Sequence, residues 1–200
     1  MSPINPLDVE PDRVIAEALW HIDNEMEEIG WDQDAMLFAV MIHRVDDFGP
    51  LGLPGALGGV INLMPFPAWE LALAGAPSPT DALGFMAGMV GLAPKPMREV
   101  TFPPDEFYGL AFATEAWILR PPMDGQELSP SAIEAMQSGS ISEHPDRVEV
   151  RLIYCLPKDG GAPAVLSHER DGIVEALDDT VTIGGAIPGC LKELLGKITA

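Results

Sequence analysis

The sequence predicts an α+β domain, an antiparallel sheet with helices packed on it at its N- and C-terminal ends, and three observations carry that reading. An acidic segment near the N-terminus repeats its apolar residues at helical spacing. Two later stretches, Tyr108–Leu119 and Arg147–Leu156, read as strands, the second by alternation. The closing residues return to helical spacing.

In the first segment Ile15, Ala18, Leu19, Ile22, Met26 and Ile29 recur three and four residues apart, which lays them along one helix face. Asp8 or Asp12 is placed to cap its start, and Gly30 suits the left-handed position after its last turn. Glu17, Asp23, Glu25, Glu27 and Glu28 fall elsewhere around it. Acids so late in a helix oppose its dipole, so they are expected to serve solubility or a partner. After a turn at Trp31-Asp32-Gln33, the unbroken apolar run Ala35–His43 predicts a strand buried on both faces. The Gly/Pro-rich middle offers two short helices, Pro67–Leu73 and Asp81–Val90. The second would be capped by Thr80 or Asp81 and weakened by Gly84 and Gly88, at about 1 kcal/mol each relative to Ala.

Tyr108–Leu119 is a long strand ended by Pro121 and Pro122. In Arg147–Leu156, Val148, Val150, Leu152 and Tyr154 share one face while Arg147, Glu149 and Arg151 share the other, the pattern of a half-buried strand. Lys158-Asp159-Gly160-Gly161 is a hairpin turn that leads into a returning strand, Ala164–Glu169. Pro188–Ile198 closes as a helix with Leu191, Leu194, Leu195 and Ile198 in register and Pro188 in its first turn. The economical arrangement covers one sheet face with the helices. Residues 1–200 read as one domain, with 1–8 flexible and 45–98 a Gly/Pro-rich insertion or subdomain.

Charge narrows the function classes. Thirty-one acids against eleven bases give a net −20, a surface that repels phosphate backbones and anionic membranes. The acids crowd the two ends of the chain and leave residues 35–100 nearly neutral. Cys155 and Cys190 are too few for a disulfide framework or a cysteine-rich zinc site. The uncharged run Phe48–Trp69 is broken repeatedly by Pro and Gly, which argues against a spanning helix. No segment with secretory-signal pattern stands at the N-terminus, so the expected place is the cytoplasm.

Several motifs together carry a resemblance: Trp31-Asp32-Gln33 with Leu37-Phe38-Ala39-Val40, Phe107–Pro121, His144–Leu152, the Lys158-Asp159-Gly160 turn, and Ile187-Pro188-Gly189-Cys190-Leu191. In this order they resemble a family of small acidic actinobacterial proteins with no assigned activity. The likeness covers about two thirds of the chain and omits most of residues 45–98. It implies an actinobacterial cell, or one of its phages, and a cytoplasmic place. The family pattern has a basic residue soon after the acid that matches Glu115, whereas here Ala116 and Trp117 follow and the next base is Arg120.

The candidate residues divide into chemical and adhesive ones. Glu115 interrupts an apolar strand, where a carboxylate is costly unless paired; Arg120 and Arg151 are the expected partners, and a buried, unpaired acid would be a proton-transfer group. The four His make no metal-binding spacing, and His21 with Glu25 reads as a helix-face pair. Ser138-Gly139-Ser140 is not a nucleophile turn, and Gly55–Gly59 lacks a phosphate-binding fingerprint. Met64, Phe66, Trp69, Phe85, Met86 and Met89 supply large, adaptable apolar surface of the kind used for binding, or else a second layer packed over the sheet. The sequence therefore favours a non-catalytic cytoplasmic module that binds a protein, or a second copy of itself, in an apolar groove between the middle segment and the sheet, with no cofactor, no membrane and no direct nucleic-acid contact. The alternatives are an acidic mimic of nucleic acid that occupies a basic protein, and an enzyme built on Glu115.

Overall fold

The computed structural model describes residues 11–43, 60–119, 129–161, 163–170, 172, 174–177 and 186–200. In chain order these form α1 (Pro11–Ile29), β1 (Met36–His43), β2 (Val60–Pro65), α2 (Trp69–Gly75), α3 (Pro79–Leu92), α4 (Lys95–Thr101), β3 (Phe107–Leu119), α5 (Pro130–Ser138), a 3-10 turn (Ile141–Glu143), β4 (Arg147–Pro157), β5 (Ala164–Glu169), β6 (Val174–Leu177) and α6 (Ile187–Thr199). The expected α+β class and the helices packed on the sheet at both ends of the chain are present. The expectations for Asp8, residues 1–8, the Gly55–Gly59 stretch, Arg120, Pro121 and Pro122 lie outside the described residues.

The strands make one sheet in the order β2-β1-β3-β4-β5-β6, every neighbour antiparallel. Because β1 separates β2 from β3, those two run parallel, and α2, α3 and α4 form the crossover between them. β3 and β4 are paired without interruption from Gly109 opposite Pro157 to Leu119 opposite Arg147. Near a shift in the β1–β3 register at Val40/Met41, only glycine fits at position 109: a Cβ there would stand 2.2 Å from the Leu156 carbonyl oxygen.

The sheet is covered on both faces, not one. Leu37, Leu110, Phe112, Leu152 and Leu156 pack beneath Trp69, Leu83 and Met86 of α2 and α3 and Leu191, Leu194 and Leu195 of α6. On the opposite face Phe38, Val40, Ala111, Ile153, Cys155 and Leu166 meet Val14, Ala18, Leu19, Ile22 and Met26 of α1. The physical reason lies in β4. Its side chains are buried from Val150 to Pro157 on both faces, so one helical layer could not have sufficed. Each fully buried Leu contributes about 1.5–3 kcal/mol relative to exposure.

Other differences are local. α1 starts at Pro11, so Asp12 lies inside the helix and does not cap it. Gly30 ends it as expected, at φ +100° with its N–H on the Met26 carbonyl. Ile29 is 57% exposed, whereas Asp23 is buried on the face turned to the sheet. The cap of α3 is Ser78, whose Oγ accepts from the Asp81 N–H at 3.2 Å, with Pro79 in the first turn. The sequence pattern missed β2, α4, α5 and β6. β2 lies within the Gly/Pro-rich stretch and ends in Pro65, which is tolerable because the strand lies at the sheet edge.

Candidate functional site

Two regions concentrate chemistry, on opposite sides of the sheet. The first is polar. Arg151 on β4 lies on the α1 side, opposite Glu115 of β3 and His168 of β5 in the strand register. Its side chain is completely buried, against the expectation of a half-exposed strand face. The guanidinium sits beneath the C-terminal turn of α1: Nη2 donates to the carbonyls of Gly30 at 3.0 Å and Met26 at 3.3 Å, and the Trp31 ring lies 4.6 Å from its centre. A cation at that end answers both the open carbonyls and the helix dipole.

Carboxylates close the ring around it. Asp23 Oδ1 stands 3.7 Å and Glu27 Oε2 3.5 Å from Arg151 Nη1, and Glu115 Oε1 lies 3.8 Å from Nη2. Glu115 Oε2 accepts the Asp32 N–H at 2.8 Å. Glu115 thus pairs with Arg151, one of the two partners expected, and also fixes the turn after α1. His168 Nδ1 is 2.9 Å from Asp23 Oδ1, and its ring packs edge-on to Trp31. At the solvent side Arg170 bridges Asp32 and Glu149, at 2.8 Å from each. Its hydrogen bonds and charge hold the Asp32 carboxyl below the usual carboxylate range, and its own pKa rises through the bonds to Asp32 and Glu149.

Asp32, Glu115 and Glu149 bring carboxylate oxygens within 4.8 Å of one another, close enough to share a cation. Arg170 already supplies that cation to two of the three. The arrangement reads as a clamp that ties the end of α1 to β3, β4 and β5. Sequence reasoning named Glu115 and offered Arg151 as one of its partners, but missed the burial of Arg151 and the parts played by Asp23 and His168. A signal for Asp23 existed: it lies four residues after Leu19 and three before Met26, on the apolar stripe itself.

The remaining polar candidates are local. His21 Nε2 and Glu25 Oε1, both exposed, lie 3.3 Å apart as a helix-face pair. His144 is buried, bonded to Ser131 Oγ and the Asp146 N–H, and so ties α5 to the start of β4. Cys155 is buried on the α1 side, where burial pushes its thiol up to about 12, whereas Cys190 belongs to the opposite face. The sheet separates the two sulfurs.

The second region is apolar. Of the six residues expected to offer binding surface, Phe66, Trp69 and Met86 are 4–5% exposed and are taken up by the core. Phe66 stacks on Phe102, and Trp69 meets Phe112 edge-on while its Nε1 donates to the Ala35 carbonyl at 2.6 Å. Met64 is half-buried. Phe85 and Met89 are 57% and 52% exposed, on the side of α3 turned away from the sheet. Leu92 (83%), Leu71 of α2 (78%) and Met97 and Val100 of α4 (64% and 81%) are exposed as well. Phe66 and Trp69 do line a cleft of about 870 Å³ between the ends of β1 and β2 and α2, and Leu71 stands at its margin.

α3 explains why this layer matters. It is apolar all round, and such a helix is normally buried all round. Ala82, Leu83, Met86 and Ala87 satisfy one side; Gly84, Phe85, Gly88, Met89, Gly91 and Leu92 face out. A Cβ on Gly84 or Gly88 would meet nothing within 4 Å. Each costs about 1 kcal/mol relative to Ala in a helix interior. Packing within the chain does not call for them.

Compared with known protein families, with curated proteins and with solved structures, the chain gives no match.

Proposed function

We propose that this chain is a non-catalytic protein-binding module whose working surface is the outer face of α2, α3 and α4. The observation that carries the reading is the exposed apolar half of α3, with Phe85, Met89 and Leu92 aligned in a layer that also exposes Leu71, Met97 and Val100. Exposed large apolar side chains concentrated on a few elements mark interaction sites in folded proteins. Its charge fits the role. Residues 69–101 hold three acids (Glu70, Asp81, Glu99) and two bases (Lys95, Arg98), so a partner meets little of the net −20. Glu115, the residue on which an enzymatic reading depends, is engaged by Arg151 and the Asp32 amide. A cytoplasmic place suits a chain whose two thiols are free and lie on opposite sides of the sheet. The resemblance to actinobacterial proteins adds a host but no activity.

The test is site-specific photocrosslinking in cells of the native host, with a benzophenone side chain in place of Phe85 and, as control, in place of Met136 on α5, which is 54% exposed. The reading predicts discrete protein adducts from position 85 and none from position 136. Equal labelling from the two positions, or none from position 85, overturns it.

A further inference from the structure

Within that reading, we infer that the occupant of the α3 face is a second copy of this chain, docked antiparallel about a two-fold axis at Gly88. The face is self-complementary. Gly84 and Leu92 both lie four residues from Gly88, and Phe85 and Gly91 both lie three residues from it. In an antiparallel crossing centred on Gly88, Gly84 of one copy comes level with Leu92 of the other and Phe85 with Gly91. Gly88 meets Gly88. Phe85 and Leu92 therefore each face a position without a side chain, the condition for close helix approach and the self-matching that a two-fold interface demands. These are also the glycines for which packing inside the chain gives no reason at positions 84 and 88; Gly91 lies beside the methylenes of Lys197.

Charge and size agree. Approach through other faces sets one strongly acidic surface against another, since α1 alone exposes Glu17, Glu25, Glu27 and Glu28. The six exposed apolar side chains of the layer, at roughly 100 Å² each, offer on the order of 600 Å² per copy, which reaches the lower end of specific interfaces.

The experiment is sedimentation equilibrium of the full chain over a concentration series, with Gly88→Ala, Gly88→Leu and Gly196→Ala. Gly196 is an exposed glycine on α6 whose added Cβ would also meet nothing within 4 Å, so it serves as the control. The inference predicts a dimer that Gly88→Ala weakens by about tenfold or more and Gly88→Leu abolishes, while Gly196→Ala leaves it unchanged. Circular dichroism confirms that each variant is folded. Independently, Gly88→Cys forms a disulfide with its own copy under mild oxidation, because an axial residue meets itself. A chain that remains monomeric at high concentration, or a dimer indifferent to Gly88→Leu, overturns the inference. If position 85 still crosslinks to a different protein, the broader binding reading survives that failure.

Discussion

Arg151 shows what one residue can organise. Its guanidinium is the point at which α1, β3, β4 and β5 are tied together, through two backbone carbonyls, three carboxylates and an indole ring. Replacing it with Met keeps the volume but leaves the buried Asp23 and the part-buried Glu115 without the guanidinium, so Arg151→Met is expected to lose about 3–5 kcal/mol in urea unfolding. A loss below about 1 kcal/mol would mean that the guanidinium does not hold the helix. Glu115 was legible because a carboxylate in an apolar strand draws attention. Arg151 was legible as a partner for Glu115, but its burial was not, because alternation set it beside Arg147 and Glu149 on a face that looked solvated. The cover over that face comes from α1, distant in sequence.

Two other residues of β4 make an alkaline prediction. Burial pushes the Cys155 thiol from 9.0 up to about 12 and the Tyr154 phenol from 10.0 up to about 12. Both groups ionise earlier in the unfolded chain. Their contribution is therefore fully present below pH 9 and is lost as pH rises through about 12. Unfolding midpoints measured against pH should fall over that window, and in Cys155→Ala the fall should begin nearer pH 10, where only Tyr154 remains. A flat profile to pH 12 would contradict the burial of these groups.

At the scale of elements, periodicity predicted α1 and α6 well because each has one apolar stripe and one core to meet. α3 shows the limit of that method. A helix apolar on every side does not say which side is the core; the structure answers by setting Leu83 and Met86 inward beside α6 and leaving Phe85 and Met89 outside. The difference is measurable within one turn. Leu83→Ala should cost about 2–5 kcal/mol, whereas Phe85→Ala in dilute solution should stay within about 0.5 kcal/mol of the parent. Equal losses at the two positions would mean that Phe85 is packed within its own chain. β2 escaped the sequence reading for a different reason. Its residues look like loop until β1 supplies the hydrogen-bonding partner, and no local signal encodes that pairing.

At the scale of the whole molecule, the sheet separates two unlike surfaces. α1 carries acids outward on one side, and α2, α3 and α4 present an apolar, nearly neutral layer on the other. The composition foretold the neutral middle, since acids crowd the two ends of the chain, but it could not say that half of the greasy residues there would be consumed as core. Net charge of this size keeps copies apart wherever acids face acids, which leaves the neutral layer as the place where contact costs least. The proposed function requires this layer to be covered by protein when the chain is at work. Hydroxyl-radical footprinting tests it most directly, comparing oxidation of Phe85, Met89 and Met97 in the native cell with the purified chain at nanomolar concentration. All three are expected to be strongly protected in the cell and freely oxidised in dilute solution. Equal oxidation in both settings would contradict the proposed function.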